Sequence, residues 1–384
     1  MSPPAVRVNT FVPTKESKLD LVSKIIIVFE LICGINRLPV FGRLKPVCLA
    51  LSLAYSLSIN IFIAYSTYNN LSRGLGEFVR ALKLWQYCMC AILGFAFRKR
   101  LREFYSGLIK FDKETDFRME NKEVIKSTVQ ICLTVGFMIG FITFLYLAHV
   151  FKNDYIELII ILLVSIIELH FFGHLLNLLV PRLRFMNHLM KQSLCNRSGI
   201  HIVQNGLICP NKTKKSTMDM KKLMDFYHRI IITFDILYEA IKWQMIIILI
   251  TSFIASLFVS YNLILRYIRS DYTLGQLLVE TTMTFAEIVP LFAPCRVVDI
   301  LHGEVRCLIE LLSSRLYENK IEKSSRAVAQ AFLALMEARD LSFSLLRIFD
   351  IDVSFPFKFL GLLVTYLIIL LQFEKVINLD RSTV

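Results

Sequence analysis

Long apolar segments recur along the chain, and their spacing predicts membrane-spanning helices. Six of them lie at about 47–66, 75–97, 129–151, 155–180, 243–265 and 273–295, and a seventh covers 355–374. A helix needs about 20 residues to cross a hydrocarbon layer of about 30 Å. None of the segments shows the period-two alternation of a membrane β-barrel strand. The pattern therefore predicts an all-α membrane protein with seven transmembrane helices.

Shorter amphipathic patterns lie between the apolar segments and predict helices outside the membrane. Apolar residues recur at spacings of three and four in 220–240, namely at Leu223, Tyr227, Ile230, Phe234 and Leu237. The same spacing recurs in 299–354, at Leu301, Val305, Leu308, Leu312, Phe332, Leu335, Leu341 and Leu345. Because such faces must be buried, we expect long helices that extend into a cytoplasmic helical bundle, with 299–354 as an anchor segment. Within the amino-terminal segment 1–46, the run 25–35 predicts a short interfacial helix.

Lysine and arginine are divided unequally between alternate connecting segments. Of the 44 in the chain, 34 lie in 1–46, 98–127, 181–240 and 296–354, whereas 6 lie in the alternating segments. Basic segments remain cytoplasmic, so the amino terminus is predicted inside and the short tail 375–384 outside the cell. The net charge of +13 therefore reflects membrane orientation, and no nucleic-acid partner is expected.

The amino-acid composition is that of a membrane protein rather than of a soluble domain. The chain is 55% hydrophobic and has 30 phenylalanines, which is more apolar surface than a soluble domain of this length buries. Its nine cysteines lie in apolar runs or in segments predicted to be inside the cell. Free thiols rather than an extracellular disulfide framework are therefore expected.

The most specific pattern lies in the last predicted span. Thr365 and Tyr366 are followed by five aliphatic residues and then by Gln372 and Phe373. This pattern, in the last helix of a seven-span chain with a cytoplasmic amino terminus, resembles the signature of the insect gustatory receptor family. The specific match covers about the last thirty residues, and the rest of the chain resembles the family in its layout.

The resemblance implies a tetrameric ligand-gated, nonselective cation channel in the plasma membrane of sensory neurons. It implies a homotetramer or a heteromer with related receptors, Na⁺, K⁺ and Ca²⁺ as permeant ions, and these pore or gate residues: Thr365, Tyr366, Ile369, Gln372 and Phe373. A ring of Phe373 side chains would close a pore by dewetting, and the Gln372 amide could turn toward the axis on opening. The alternative is that Tyr366 and Gln372 only hold helices together within the bilayer.

Residues in the outward halves of spans two to six are predicted to form the ligand pocket. Aromatic walls with a few polar groups suit a small amphipathic tastant. The candidates are Trp85, Tyr146, His149, Tyr155, Glu157, Phe258, Tyr261, Asn262, Glu280, Thr281, Thr284 and Phe285. Interfacial aromatics are common without any ligand, so about a third of this set is expected to touch one. Some sugar-detecting members of the family carry Glu where this chain has Leu367, which favours a bitter or other plant compound.

Three acidic residues fall inside predicted spans, namely Glu168, Glu280 and Glu287. A carboxylate at such depth must be paired, protonated or exposed to a wet cavity, and His170 and Lys83 are possible partners. His170 and His174 share a helical face, but no third ligand has a matching spacing. No metal or cofactor is therefore expected.

The sequence contains no phosphate-binding glycine loop, nucleophile elbow or paired-cysteine zinc motif, so enzymatic activity is not expected. Two other classes of membrane protein stay open. A G-protein-coupled-type receptor would require the opposite orientation in the membrane. A secondary transporter is suggested by the buried carboxylates, although the chain has no internal repeat and no pair of broken spans.

Overall fold

The computed structural model of the protein describes residues 19–37, 46–69, 75–117, 129, 136, 140, 156–198, 220–268, 274–318, 321, 323–339, 341–345 and 349–382. These residues form almost entirely α-helix. The helices are α1 (Leu19–Ile32), α2 (Pro46–Asn69), α3 (Leu75–Ala96), α4 (Arg98–Thr115), α5 (Ile156–Asn177), α6 (Val180–Ser198), α7 (Met220–Ile268), α8 (Leu274–Ile288), α9 (Phe292–Tyr317), α10 (Lys323–Ala338) and α11 (Phe355–Ser382).

Among the described residues, five helical segments are long and apolar enough to cross a membrane. They are Val47–Ser66, Glu77–Ala96, Ile161–Gln192, Met220–Ile268 and Phe355–Glu374. The predicted span 129–151 lies outside the described residues, apart from three isolated helical positions. The count of seven spans therefore stays a prediction.

The predicted sixth span, 273–295, is not a single helix. Helix α8 ends at Ile288, a short 3-10 turn covers Val289–Leu291, and α9 begins at Phe292. Pro290 lies in the turn, and a proline has no N–H to donate to the preceding turn of an α-helix. Pro290 therefore explains the break in the helix. The sequence analysis predicted one uninterrupted span over 273–295 and did not include this break.

Helix α7 is the central element of the fold. Its 49 residues span about 73 Å at 1.5 Å per residue, more than twice the hydrocarbon thickness. It joins the amphipathic segment 220–240 to the apolar segment 243–265 without a break, and it packs against α3, α4, α8, α10 and α11. The apolar face predicted in 220–240 is buried along its whole length.

Helices α4 and α10 pack against the first half of α7, α6 also contacts α7, and α9 packs on α6 and α10. We call this the inner end of the bundle, after the predicted orientation, and the opposite end the outer end. The apolar face of α9 is fully enclosed here, at Leu301, Val305, Leu308 and Leu312. Phe332, Leu341 and Leu345 are also buried, while Leu335 is partly buried.

A two-stranded antiparallel sheet immediately precedes α11. Strand β1 (Ser344–Leu345) pairs with β2 (Phe349–Asp350), and the hydroxyl of Tyr238 on α7 donates to the Ser344 carbonyl at 2.7 Å. The sequence pattern does not predict this hairpin, because strands of two residues carry no periodicity. The sheet fixes the point at which the chain enters α11.

A glycine turn after α1 directs the chain into the bundle. Gly34 has a φ of 89°, a conformation that other L-residues rarely adopt. A Cβ at this position would overlap the Tyr87 hydroxyl oxygen, which itself donates to the Cys33 carbonyl at 2.7 Å. The turn leads directly to Arg37, whose side chain is buried among α3, α5 and α7.

Candidate pore helix and buried charge network

Helix α11 has one face packed on the bundle and one face open in the single chain. Phe359 and Leu363 are buried on the packed face. The predicted gate residues lie mostly on the open face: Ile369 is 39% exposed and Phe373 is 63% exposed, and Gln372 is exposed as well. The Thr365 hydroxyl donates to the Gly361 carbonyl at 2.9 Å, so this hydroxyl is satisfied within its own helix.

Aromatic rings join α11 to α7 near the middle of the helix. The ring of Phe253 on α7 contacts Phe359 at 5.3 Å and Tyr366 at 6.0 Å between centroids, both edge to face. Such geometry is favourable because the ring edge is positive and the ring face negative. Tyr366 therefore borders the open face while it remains in contact with α7.

Near the outer end, α7 and α11 are joined by a hydrogen bond. The Tyr261 hydroxyl donates to the Glu374 carboxylate. Glu374 directly follows Phe373, so the bond lies beside the predicted gate. The structure thus places Tyr261, a predicted ligand-binding residue, in contact with the candidate pore helix α11.

The remaining ligand-binding candidates are only partly described. Tyr146, His149 and Tyr155 lie outside the described residues, as do the side chains of Glu157 and Glu280. Phe258 packs on Phe78 of α3 with ring centroids 5.1 Å apart. Trp85 is 50% exposed and Phe285 is 61% exposed. The other three are partly buried, on α7 or α8: Asn262, Thr281 and Thr284.

A small cleft lies toward the inner end of the bundle. It is lined by Arg37, Gly94, Phe97, Leu101, Phe171, Ala240, Ile241 and Gln244. None of the predicted ligand-binding residues lines this cleft. Among the described residues, the candidate Phe258 packs on Phe78, but the ligand-binding candidates do not line one enclosed pocket together.

An ion pair is buried between α3 and α8. The Lys83 ammonium lies 2.6 Å from the Glu287 carboxylate, with the two side chains 2% and 10% exposed. The second oxygen of Glu287 accepts a hydrogen bond from Ser252 on α7 at 2.7 Å. Lys83 is therefore the partner of Glu287, one of the two partners suggested by the sequence.

Neutral polar side chains extend this ion pair to a fourth helix. Lys83 donates to the Gln86 side-chain oxygen at 3.1 Å, and Gln86 donates to Ser165 on α5 at 2.6 Å. Thr251 on α7 donates to the same Gln86 oxygen at 2.7 Å. A buried polar network stabilises a fold when each member has a partner, and here four helices share one network.

A second buried cluster is centred on Arg37. Its guanidinium donates to Glu30 at 2.6 Å, to both oxygens of Glu168 at 3.0 and 2.7 Å, and to Gln244 at 3.0 Å. Its carbon also lies 4.7 Å from the ring centroid of Phe171. The planar guanidinium carries five donors in a fixed fork and can meet two carboxylates and an amide at once, whereas a lysine ammonium has only three donors at one point. This cluster ties the α1 segment to α5 and α7.

Sequence reasoning did not identify Arg37 as the partner of Glu168. Arg37 lies in a segment assigned to the cytoplasm, 131 residues away in sequence. The suggested partner, His170, instead donates from Nδ1 to the Ile166 carbonyl at 2.9 Å. His174 lies 3.4 Å from the Ser23 hydroxyl. Within the described residues, no three His, Cys, Asp or Glu side chains form a metal-binding group.

Beyond the ends of the predicted spans, Asp112 of α4 pairs with Arg182 of α6. The guanidinium donates to both carboxylate oxygens, at 2.9 and 2.6 Å. Burial raises the pKa of Asp112, and the neighbouring Arg182 only partly opposes this rise. The pair joins two helices of the inner end.

The chain is similar to a known family over most of its length and to solved structures of low sequence identity. A family described as "7tm Chemosensory receptor" matches residues 28–377. The solved structure of the insect olfactory receptor OR5 from Machilis hrabei has a TM-score of 0.65 at 16% identity, covering 92% of this chain and 98% of that one. The same receptor in complex with eugenol has a TM-score of 0.63 at 16% identity, with the same coverage. A comparison with curated proteins finds no match.

Proposed function

We propose, from the premise that the chain belongs to the 7tm chemosensory receptor family, that it is a gustatory receptor acting as a ligand-gated, nonselective cation channel. The family is one of receptors rather than enzymes. In this proposal four subunits, identical or from related receptors, surround a pore in the plasma membrane of a sensory neuron. A small tastant at the outer end opens the pore, and Na⁺, K⁺ and Ca²⁺ pass through it.

The open face of α11 is the observation that carries this proposal. Large apolar side chains line it from inner to outer end, including Leu362, Tyr366, Ile369 and Phe373, all at least 39% exposed. A lipid-facing helix would also be apolar, but it would not need the amide of Gln372 beside its last aromatic ring. Four such faces around an axis give the apolar constriction that a dewetting gate requires, with a polar group next to it.

The ligand is proposed to bind between the outer halves of the predicted spans two to six. Phe78 and Phe258 supply an aromatic wall at the contact of α3 with α7. The similar olfactory receptor was solved in complex with eugenol, a small aromatic molecule. That relative supports a ligand of similar size, and Leu367 in the signature favours a bitter or other plant compound. Ligand affinity must differ between closed and open states for binding to open the pore.

Patch recording from cells that express the chain tests the proposal. A panel of tastants is applied to the wild type, Phe373→Ala and Gln372→Ala, with Phe357→Ala as the matched control. Phe357 lies on the same helix and is 63% exposed, as is Phe373. We expect ligand-gated cation currents whose gating or permeation changes in the first two variants and not in the control. Currents that both gate variants leave unchanged would contradict the pore assignment.

A further inference from the structure

The hydrogen bond from Tyr261 to Glu374 joins α7 to α11 one residue beyond the proposed gate. Glu374 lies 19 residues after the start of α11, about 29 Å along the helix axis, and therefore at the opposite end of the hydrocarbon layer. Tyr261 lies seven residues before the end of α7. Both groups are thus at the outer end of the bundle.

The contacts that Tyr366 and Glu374 of α11 make with α7 differ in kind. Phe253 meets Tyr366 through ring edges and faces, a contact that tolerates small sliding and rotation. Tyr261 meets Glu374 through a directional bond to a carboxylate, which is stronger than a bond between neutral groups. The outer contact, about 12 Å from Tyr366 along α11, is therefore the one that fixes the rotation of the helix there.

This rotation sets the direction of the gate side chain. Successive residues of an α-helix are about 100° apart around its axis. With Glu374 held toward α7, Phe373 is turned away from the bundle, and it is 63% exposed in the single chain. A change in the Tyr261 contact changes the direction in which Phe373 points.

We infer that Tyr261 and Glu374 are positioning residues that hold Phe373 in the closed arrangement of the channel. The inference rests on the proposed function. Phe258 and Asn262 of the predicted ligand pocket lie on the same stretch of α7 as Tyr261. A ligand that displaces this stretch, or that takes the Tyr261 hydroxyl for itself, breaks the bond to Glu374 and frees the outer end of α11.

A double-mutant cycle tests the inference. The ligand-free and ligand-evoked currents of Tyr261→Phe, Glu374→Ala and the double variant are compared with the wild type. Tyr267→Phe on the same helix is the matched control for loss of a hydroxyl. Glu374→Gln keeps an uncharged acceptor, so its effect should be smaller than that of Glu374→Ala.

We expect each single variant to raise the ligand-free ratio of open to closed channels about tenfold, equivalent to about 1.4 kcal/mol. The double variant should match the single variants rather than multiply their effects, because one bond is lost in all three. Additive effects, or unchanged ligand-free currents in both single variants, overturn the inference. So does a Tyr261→Phe variant that only weakens the response to ligand, because Tyr261 then acts as a ligand contact.

The contact between Tyr261 and Glu374 can be tested independently of the proposed channel function. If the wild type and the gate variants carry no cation current, the channel proposal fails, and the contact is tested in membranes by cross-linking. Tyr261→Cys and Glu374→Cys are combined in a chain with a protease site inserted after residue 319. A bifunctional thiol-reactive cross-linker is used because a tyrosine and a glutamate side chain separate the two backbones, a gap too long for a direct disulfide. It should keep the two fragments joined in the double variant and not in either single variant. Fragments that separate in the double variant overturn the contact.

Discussion

Lys83 and Glu287 form an ion pair of 2.6 Å in the middle of the helical bundle, and this pair ties α3 to α8. Ser252 adds α7 to the same site by donating to Glu287. Helix α8 ends one residue later, at the 3-10 turn that contains Pro290. The pair therefore anchors the end of α8, the helix that carries four of the predicted ligand-binding residues.

Removal of one member of this pair should destabilise the fold strongly. Lys83→Met leaves an uncompensated carboxylate in the bundle, which costs about 3–5 kcal/mol. The double variant Lys83→Met with Glu287→Leu removes both charges and should recover most of this loss. The thermal midpoint of the detergent-solubilised protein, followed by size-exclusion chromatography, measures the difference.

An exposed ion pair on the same molecule provides the comparison. Arg100 and Glu239 lie 2.9 Å apart, with side chains 45% and 42% exposed. Pairs of this kind contribute about 0–1 kcal/mol, so Arg100→Ala should hardly move the thermal midpoint. If Lys83→Met has an effect no larger than Arg100→Ala, the Lys83–Glu287 pair does not have the buried environment described above.

Replacement of Arg37 should be more harmful than replacement of Lys83. Arg37→Met leaves two buried carboxylates, those of Glu30 and Glu168, without a cation. Arg37→Lys restores the charge but cannot donate to both acids and to Gln244 in the same geometry. We expect Arg37→Met to abolish surface expression and Arg37→Lys to lower the thermal midpoint. Full stability of Arg37→Lys would show that charge alone, without the planar geometry, is sufficient.

The spacing of apolar residues predicts which helical faces are buried, but it does not predict which charged residues pair across the fold. The repeat of Leu301 and Val305 at four residues predicts a buried helical face, because both positions of such a pair point the same way. No local rule predicts that Arg37 meets Glu168, since that contact depends on the path of the whole chain. The break after α8 could have been predicted from Pro290. It was missed because the span was assigned from hydropathy, which does not register a single proline in an apolar segment.

Alanine in place of Gly34 should destabilise the turn after α1. The positive φ costs about 1–3 kcal/mol for a residue with a Cβ, and that Cβ would also meet the Tyr87 hydroxyl. Gly303→Ala is the matched control, because Gly303 lies within α9 with open space around it. Its replacement should stabilise the helix by up to about 1 kcal/mol. Equal thermal midpoints for the two variants would contradict the described turn.

Acidification should favour the wild type over an Asp112→Asn variant. Burial raises the pKa of Asp112 in the folded protein above its ordinary value of 3.8. The folded state therefore binds this proton more tightly than the unfolded state does. Stability linked to Asp112 is largest below 3.8 and is lost as the pH rises through the raised pKa.

The measurement compares thermal midpoints of wild type and Asp112→Asn at pH 7.5 and pH 5. Asparagine does not titrate, so the difference between the two proteins isolates the contribution of this carboxyl. We expect the wild type to gain relative to the variant at pH 5. If Arg182 instead outweighed burial, the pKa would lie below its ordinary value and acidification would not favour the wild type. A difference in midpoint that is constant, or that moves toward the variant, would therefore show that the ion pair dominates over desolvation at the contact of α4 with α6.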